Sequence, residues 1–522
     1  MSARRIPGGA APTRSRATRK TDPARTGGPA YLRRRRPGAG ITEQSARAIT
    51  LDEAVTAIRS GPQGPEIAAI FDFGGTVVHG FDPSSLTRRL LRRDRDPVAA
   101  GLLGSIRGAR SEGEYERFLQ HTMHAWAGLP EQRLEELGAT LFQRTVYGHL
   151  YPEAWRLIRE HEAAGHTLVL VSALTRFQVR PAADELGIPT VLCTAMAAQD
   201  GVLTGHVEGK PLWRNGKADA VRRFALAEGI DLTRSWVYAD SAADLPLLGV
   251  AGRPVAVNPD PRTVLEATEK EWPILHFRPR TTPRPTDYAR TVAGFAALLG
   301  GALFGVAAKA HTKQRREMAD SLLNHAAEST LRGTGVRVRV TGREYARAPR
   351  PAVFIFNHQS QFDMVVVAEV LGGGITGIAK KEITRNPIFG PLMRFVEVTF
   401  IDRADTAAAK AALAPVVQTL RGGLSIVIAP EGTRSRTPRV GAFKKGAFHI
   451  AIQAEVPIIP VVIRNAGEIA WRDSAVVRKG VVDVAVLPPI DVSGWDPAAM
   501  DADIERVRQL FVNTLLEWPT GD

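Results

Sequence analysis

The sequence predicts an α/β protein that contains two separate blocks of parallel sheet. Between about residues 65 and 276, apolar runs of strand length alternate with helical patterns, and a second alternation of this kind begins near residue 335. Alternating strands and helices are typical of parallel sheets that carry helices on both faces. The chain has 522 residues, which is too long for one hydrophobic core and favours two or three domains.

The first block, residues 65–276, contains four strongly apolar runs that we interpret as buried strands. They read EIAAIFDF, HTLVLVSA, PTVLCTAM and SWVYAD, and helical stretches such as GKADAVRRFALAEG lie between them. Residues 82–149 lack such runs, and their apolar residues recur at helical spacing. We therefore predict a mainly helical insertion, or cap, over about residues 82–149.

A proline-rich stretch, residues 277–290, is predicted to link the two blocks. Eighteen uncharged residues, 291–308, follow it, which is near the minimum length for a membrane span. Their high Ala and Gly content makes insertion only marginally favourable. Three interpretations stay open for this segment: a helix in a protein core or bundle, an element lying at the membrane interface, and a true span.

The second block, residues 291–522, begins with this apolar segment. Its strand candidates lie in GVRVRVTG, AVFIFNH, VTFID, LSIVIAPEG, PIIPVVI and VVDVAVLPPI, and a closing helix is predicted in AAMDADIERVRQLFVNTLLEW. The run VPIIPVVI has the apolar character of a strand that lines an acyl-chain groove. A plain buried strand explains that run equally well.

The first 64 residues are predicted to form a disordered basic arm. Residues 1–47 hold twelve Arg and Lys residues against two acidic residues, so they carry +10 of the chain's net charge of +14. Their composition cannot bury enough apolar surface to order the segment. A solvated tail and an electrostatic tether to anionic lipid both fit this composition. Nucleic acid is disfavoured as a partner because Tyr31 is the one aromatic residue among these arginines.

Two features of the composition suggest the compartment. Cys193 is the only cysteine, which excludes an intramolecular disulfide framework and fits a reducing environment. The N-terminus lacks the apolar region of a secretory signal. We therefore expect the protein at the cytoplasmic face of a membrane, as a peripheral or monotopic protein.

A histidine and an aspartate follow the strand AVFIFNH at a spacing that suits proton transfer. His358 and Asp363 stand in an H-x4-D pattern, so the carboxylate can reach the imidazole and fix its tautomer. A histidine held in this way can remove a proton from a hydroxyl nucleophile without a metal or an acyl-enzyme. On its own, such a pair is about as well explained by a surface contact.

Further motifs in the second block point to the same chemistry. IAPEGTRS follows an apolar strand, and within it Gly432 permits close backbone approach, Thr433 offers a hydroxyl and Arg434 offers a bidentate fork for phosphate. FIDR places Arg403 after another strand, and KKEITRNPIFG supplies Lys380.

Together these motifs resemble the 1-acylglycerol-3-phosphate acyltransferase family, whose pattern is N-H-x4-D, K-x-E…P-x-x-G, F-x-x-R, E-G-T-R-S and V-P-x-x-P. All five motifs occur in this order between Asn357 and Pro460. The resemblance covers about residues 290–522 and implies a glycerolipid acyltransferase fold. It implies transfer from acyl-CoA or acyl-carrier protein to the free hydroxyl of a lysophospholipid, with His358 as base and Asp363 as its orienter. The residues implied to hold or assist the acceptor are Lys380, Arg403, Glu431, Gly432, Thr433 and Arg434.

In the first block, polar residues follow the ends of several predicted strands. Asp72 ends EIAAIFDF, Ser172 ends TLVLVS, Lys217 opens a helix, and YADSAADLPLL supplies Asp240 and Asp244. A nucleophilic carboxylate, a hydroxyl, a lysine and an acidic pair are the groups that a magnesium-dependent aspartyl-phosphate mechanism needs.

This arrangement resembles the haloacid dehalogenase superfamily, in the branch similar to phosphoserine phosphatases, with a Rossmann-like parallel sheet and a helical cap. The resemblance covers about residues 65–276. It implies that Asp72 attacks phosphorus, that Ser172 and Lys217 neutralise the phosphoryl oxygens, and that Mg²⁺ is bound by Asp72, Asp240 and the backbone carbonyl of Gly74.

One position departs from the family's D-x-D-G-T motif, because Gly74 stands where the second aspartate protonates the leaving group and then activates water. Three hypotheses follow for this block: a weak or specialised phosphatase, a phosphate-binding or regulatory module without turnover, and a structural platform for the acyltransferase. For the whole chain we predict a membrane-associated lysophospholipid acyltransferase with an impaired phosphatase-like domain. The alternative is a magnesium-dependent phosphatase of a phosphorylated metabolite or lipid, whose second half binds lipid.

Overall fold

Two sheets, each with its own core, organise the computed structural model of the protein. The structure describes residues 47–79, 119–120, 123–124, 126–278, 283–347, 349–387, 389–401, 413–435, 439–472, 474 and 476–519. Both sheets belong to one compact unit. The predicted α/β class with two parallel-sheet blocks is confirmed.

The first sheet has eight strands. They are β1 (Ala48–Ile49), β2 (Ala68–Asp72), β3 (Thr167–Thr175), β4 (Thr190–Gln199), β5 (Val202–Glu208), β6 (Trp236–Ala239), β7 (Arg253–Val257) and β8 (Ile274–Leu275). The order across the sheet is β1-β8-β7-β6-β2-β3-β4-β5, and every pair is parallel except β4 with β5. Central strand β2 is buried along its whole length, as expected for a parallel sheet covered on both faces.

Within the described residues, seven α-helices accompany this sheet. They are α1 (Leu51–Arg59), α2 (Glu131–Leu141), α3 (Pro152–Ala163), α4 (Arg176–Leu186), α5 (Asn215–Glu228), α6 (Leu245–Leu248) and α7 (Pro261–Glu269). Most of the predicted cap, 82–149, lies outside the described residues. Where it is described, from residue 126 onward, it is mainly helical.

The second sheet has seven strands. They are β9 (Val336–Thr341), β10 (Val353–Phe356), β11 (Ile375–Lys380), β12 (Thr399–Ile401), β13 (Ser425–Ile428), β14 (Ile458–Ile463) and β15 (Gly480–Val486). Their order is β12-β11-β13-β10-β14-β15-β9, and β14 with β15 is the antiparallel pair. The carboxyl ends of β10 and β13, which pair in parallel, therefore lie side by side.

The part of this half that the structure describes contains eight α-helices. They are α8 (Pro285–Lys309), α9 (Arg315–Thr334), α10 (Asp363–Leu371), α11 (Phe389–Phe395), α12 (Leu413–Arg421), α13 (Gly446–Ala454), α14 (Ala466–Ile469) and α15 (Asp501–Leu516). The two halves touch directly, because Trp471 packs against the first core and Arg59 donates to the carbonyl of Leu516 at 3.1 Å.

The predicted disordered arm is wrong for residues 47–64. Strand β1 pairs with β8, and α1 buries Ala54, Val55 and Ile58. Thr50 and Glu53 form a capping box at the start of α1, with the backbone N–H of Glu53 donating to Thr50 Oγ1 at 3.2 Å. The T-x-x-E pattern predicts a helix start here, but the basic composition of the preceding residues favours disorder. Residues 1–46 lie outside the described part of the chain.

Two other predictions need correction. Helix α8 begins at Pro285, inside the predicted linker, since proline suits the first helical position and Asp287 accepts from the backbone N–H of Arg284 at 2.9 Å. The run containing β14 does not line an open groove. Strand β14 lies between β10 and β15, and all six of its residues are buried.

Candidate functional site

The carboxyl end of β10 holds the predicted histidine and aspartate in direct contact. His358 Nδ1 lies 2.8 Å from Asp363 Oδ2. The same oxygen accepts the backbone N–H groups of Gln359 and Ser360, each at 2.8 Å. Asp363 is the first residue of α10, and the loop from His358 wraps around its carboxylate. Residues 358–363 therefore form a closed loop that is hydrogen-bonded to the carboxylate of Asp363.

This geometry leaves one ring nitrogen of the histidine available for chemistry. Asp363 is fully buried, whereas the side chain of His358 keeps a fifth of its surface exposed. Because Nδ1 donates to the carboxylate, the lone pair lies on Nε2. The arrangement can accept a proton at Nε2 and stabilise the resulting imidazolium.

Glu431, which is predicted to help hold the acceptor, accepts hydrogen bonds from the backbone of the loop that carries His358. Its Oε1 accepts the N–H of His358 at 2.9 Å, and its Oε2 accepts the N–H of Gly441 at 2.8 Å. Burial raises the pKa of Glu431, although the two N–H donors oppose that change. Ser435 completes the attachment by donating its N–H to the carbonyl of His358 at 2.7 Å. The segment after β13 thus fixes the position of His358.

The other residues of this motif surround the same loop. Gly432 has a φ of +73°, a conformation that favours glycine. Thr433 is exposed, and the carbonyl of Arg434 accepts from Arg472 Nη1 at 2.6 Å. Lys380 ends β11, but its side chain lies outside the described part of the structure, as does the whole of Arg403. Sequence reasoning missed Gly441 and Arg472, because neither belongs to a recognisable motif.

In the first half, a buried lysine joins two of the predicted carboxylates at the end of β2. Lys217 Nζ lies 2.6 Å from Asp72 Oδ1 and 2.6 Å from Asp244 Oδ1. Ser241 also donates to Asp244, at 2.5 Å. Burial alone would lower the pKa of Lys217, but Asp244 and Asp72 together raise it. The lysine is therefore a fixed cation.

Asp240 brings a third carboxylate to this site. One oxygen each from Asp72, Asp240 and Asp244 lie within 4.8 Å of one another. A β-carbon on Gly75, which has a φ of +87°, would collide with Asp240. Burial, followed by the neighbouring carboxylates, raises the pKa of Asp240 well above its ordinary value. Three carboxylates whose oxygens converge in this way fit an oxygen-seeking divalent cation such as Mg²⁺, which binds their ionised form.

Gly74 and Ser172 complete the predicted set. An added β-carbon on Gly74 would meet nothing within 4 Å, so the missing carboxylate leaves open space. Ser172 is buried in β3, where its Oγ accepts the N–H of Leu174 at 3.2 Å. The predicted groups of this half thus lie near the carboxyl ends of the central strands, and position 74 carries no second acid.

Helix α8 presents an apolar face to solvent. A window of this helix has a mean hydropathy of 1.9, and 22% of it is buried. Among the described residues it is the one helix long and apolar enough to cross a membrane by length and composition. A β-carbon on Gly301 would collide with the carbonyl of His325 in α9, so small residues let these helices pack closely. Leu303, 74% exposed, lies on the opposite face.

Comparison with known proteins gives two family matches. A family model described as haloacid dehalogenase-like hydrolase matches residues 69–249, and one described as Acyltransferase matches residues 337–464.

The chain is 33% identical over 251 residues to the Inhibition of morphological differentiation protein of Streptomyces azureus, over 47% of this chain and 88% of that protein. It is 35% identical over 187 residues to 1-acyl-sn-glycerol-3-phosphate acyltransferase alpha of Homo sapiens, over 36% of this chain and 66% of the relative. A solved structure of a 1-acyl-sn-glycerophosphate (LPA) acyltransferase from Thermotoga maritima is 22% identical, with a TM-score of 0.39, over 45% of this chain and 98% of that chain. The chain therefore spans slightly less than two thirds of the length of the human relative.

Proposed function

We propose that the second half of the chain is a phospholipid-forming acyltransferase. The chain joins a haloacid dehalogenase-like hydrolase domain to an acyltransferase domain, and it belongs to one family with the Streptomyces azureus protein. It would move a fatty acyl group from acyl-CoA or acyl-carrier protein to the free hydroxyl of a lysophospholipid. The name of the human relative favours 1-acylglycerol-3-phosphate as acceptor, and phosphatidic acid would then be the product.

The observation that carries this proposal is the way His358 is held. Asp363 accepts from Nδ1, and Glu431 and Ser435 fix the backbone on both sides of the imidazole. Nε2 of His358 would remove the proton from the acceptor hydroxyl as its oxygen attacks the thioester carbonyl. The carbon–sulfur bond then breaks, and the proton passes from His358 to the leaving thiolate. One base suffices because a thiolate leaves with little acid assistance.

Arg434 supports the choice of a phosphate-bearing acceptor. It follows Glu431 by three residues, so its guanidinium belongs to the loop that holds His358. A guanidinium binds phosphate through two parallel N–H donors. We assign Arg403, Lys380 and the hydroxyl of Thr433 supporting roles at the same acceptor.

Replacement of the base tests the proposal directly. His358→Ala should lower acyl transfer by about 10²–10⁴-fold, the usual contribution of general-base catalysis. His449→Ala, a half-buried histidine in α13, is the matched control and should leave the rate unchanged. The assay follows phosphatidic acid formed by purified protein from acyl-CoA and 1-acylglycerol-3-phosphate. Near-normal turnover by His358→Ala would disprove the assignment.

Membrane association follows from the substrate in this proposal. A lysophospholipid resides in a bilayer, so the enzyme must reach the interface. The exposed apolar side chains of α8, including Val292, Leu303 and Phe304, supply a surface of the required kind. We propose that this face docks on the cytoplasmic side of an anionic membrane.

A second candidate function, in the first half, is supported by the ion pairs of Lys217. Asp72, Asp240 and Asp244 would hold Mg²⁺, which when bound would neutralise phosphoryl oxygens and favour the ionised form of Asp72. Lys217 would fix the orientation of Asp72 toward phosphorus, and Ser172 would donate to a phosphoryl oxygen. We propose a phosphate-binding site whose hydrolytic turnover is limited by the absence of an acid at Gly74.

A further inference from the structure

A short segment of the second half reaches the core of the first half and also contacts the loop that carries His358. It follows α14 and contains Ala470 and Trp471. Trp471 is partly buried and packs against the core of the first half. It lines a cavity between the halves together with Leu51 and Trp155 of the first half. The position of Trp471 therefore depends on the packing of the haloacid dehalogenase-like half.

The carbonyl of Ala470 extends this contact toward the histidine. The hydroxyl of Ser360, a fully buried residue, donates to that carbonyl. The backbone N–H of Ser360 in turn donates to the carboxylate of Asp363 at 2.8 Å, and the same carboxylate holds the imidazole of His358. One hydrogen-bonded path thus runs from the residue beside Trp471 to the imidazole.

Two further hydrogen bonds attach this segment to the site. Gln361 Nε2 donates to the carbonyl of Ser474 at 3.1 Å, and Arg472 Nη1 donates to the carbonyl of Arg434 at 2.6 Å. The segment therefore contacts both loops that surround His358, the one that follows β10 and the one that follows β13.

Helix α14 alone is a poor support for Ala470. It has four residues, and a single helical turn is not stable by itself because nucleation costs more than one hydrogen bond returns. Trp471 lies just beyond its C-terminal end, where the guanidinium of Arg478 stacks 4.0 Å from the centre of the indole ring. Packing of Trp471 against the first core therefore fixes the end of α14 and, with it, the carbonyl of Ala470.

We propose that Trp471 is a positioning residue through which the first half keeps His358 and Asp363 in their working geometry. This inference rests on the proposed acyltransferase function. In this role Trp471 acts through Ala470 and Ser360 rather than on a substrate. Misplacement of a reacting group by about 1 Å can lower a rate by about 100-fold, so such support matters even at a distance from the reaction. The haloacid dehalogenase-like half then contributes to acyl transfer without taking part in its chemistry.

The experiment measures acyl transfer by purified full-length protein from acyl-CoA to 1-acylglycerol-3-phosphate, with kcat expressed per folded protein from near-ultraviolet circular dichroism. Trp471→Leu removes the aromatic ring from the first core, and Trp471→Phe retains one. Trp518→Leu is the matched control. Trp518 is also a partly buried tryptophan of the second half, with the guanidinium of Arg464 5.3 Å from the centre of its ring, and it packs against the core that contains α13 and α15.

Trp471→Leu should lower kcat by about tenfold with little change in the KM of the acceptor, because the base is misplaced while the acceptor site is kept. Trp471→Phe should retain most of the wild-type kcat, and Trp518→Leu should match the wild type. An unchanged kcat in Trp471→Leu, a rise in KM alone, or an equal fall in Trp518→Leu would overturn the inference.

The path through Ser360 is tested by a double-mutant cycle. Ser360→Ala removes the donor to Ala470, so adding Trp471→Leu to it should lower kcat by less than about twofold further. A further tenfold fall would overturn the inference, because Trp471 would then act by another route. These outcomes leave the acyltransferase proposal intact, whereas absence of acyl transfer by the wild type would contradict the proposed function and this inference together.

Discussion

Each half of this protein has a buried carboxylate near the carboxyl end of a central strand, Asp72 at the end of β2 and Asp363 in the first turn of α10 after β10, but the two carboxylates differ in what surrounds them. Asp363 in the second half accepts three hydrogen bonds at one oxygen, and one of the donors is the ring that would carry out the chemistry. Asp72 in the first half has one side-chain partner, Lys217, which it shares with Asp244.

The two sites differ in the groups that could move a proton rather than in the groups that could bind substrate. In the second half the base, its orienter and the backbone contacts form one continuous arrangement. In the first half the charged groups are assembled, but position 74 offers no atom that can give or take a proton. We therefore expect efficient proton transfer in the second half and little in the first.

Restoring the missing acid tests this comparison with the largest expected effect. Gly74→Asp should raise magnesium-dependent hydrolysis of an alkyl phosphate by about 10²-fold or more, because a leaving alkoxide needs a proton. The open space around Gly74 should accommodate the side chain. Hydrolysis of an aryl phosphate, whose leaving group needs less protonation, should rise less.

Gly74→Asn is the matched control, because it has nearly the same size but cannot transfer the proton. Equal gains in the asparagine and aspartate variants would show that the carboxyl group is irrelevant. Rapid hydrolysis of alkyl phosphate by the wild type would break the comparison, since the first half would then be catalytically complete.

Much of the fold could be read from the sequence, because buried parallel strands are long apolar runs. The central strands β2, β10 and β14 all coincide with such runs. The short strands β1 and β8 were missed because two residues give no periodic pattern. Helix α1 is not apparent in the sequence because its apolar residues follow a strongly basic segment, whose composition predicts disorder despite the capping box.

The candidate sites were predictable where the interacting residues are close in sequence or belong to a familiar motif. His358 and Asp363 are five residues apart, so one loop brings them together. The hydrogen bonds of Glu431 could not be predicted, because its partners are backbone N–H groups, which no side-chain pattern reveals. The contact of Trp471 with the core of the first half could not be predicted, since it joins residues that are far apart in the sequence.

Glu431→Gln tests whether the hydrogen bonds that hold the backbone of His358 contribute to acyl transfer. A glutamine can accept one of the two N–H groups but presents its own NH₂ to the other, so about 1.5–3 kcal/mol of hydrogen bonding to a charged acceptor is lost. We expect kcat for acyl transfer to fall by about tenfold, with little change in the KM of the acceptor. A rise in KM at constant kcat would instead support direct binding of the acceptor by Glu431.

The two halves also differ in their expected contact with lipid, because the apolar face of α8 belongs to the second half. Leu303→Glu should reduce flotation of the protein with anionic vesicles by a few-fold, because it places a charge on the docking face. Leu226→Glu changes a leucine that is 87% exposed on α5 of the other half, and it should float like the wild type. Equal flotation of all three proteins would remove α8 from the docking surface.

Acid should act on the first half through a buried histidine pair, and this is the smallest of the expected effects. His161 and His166 share a hydrogen bond of 2.7 Å between their Nδ1 atoms, and His161 Nε2 lies 2.8 Å from the hydroxyl of Tyr238. Burial lowers the pKa of both histidines, that of His161 well below its ordinary value. Phe71, the neighbour of Asp72, stacks on Tyr238 at 4.7 Å, so the pair lies under the Asp72 site.

The direction of the pH effect follows from proton binding. Below about pH 6.5 the unfolded chain protonates these histidines while the folded chain resists, so the free energy of unfolding falls as the pH is lowered. Each histidine contributes at most about 1.4 kcal/mol per pH unit. His161→Gln should flatten this slope, whereas His206→Gln, an exposed histidine on β5, should not. If the free energy of unfolding of His161→Gln depended on pH as steeply as that of the wild type, acid would act on groups other than this histidine pair.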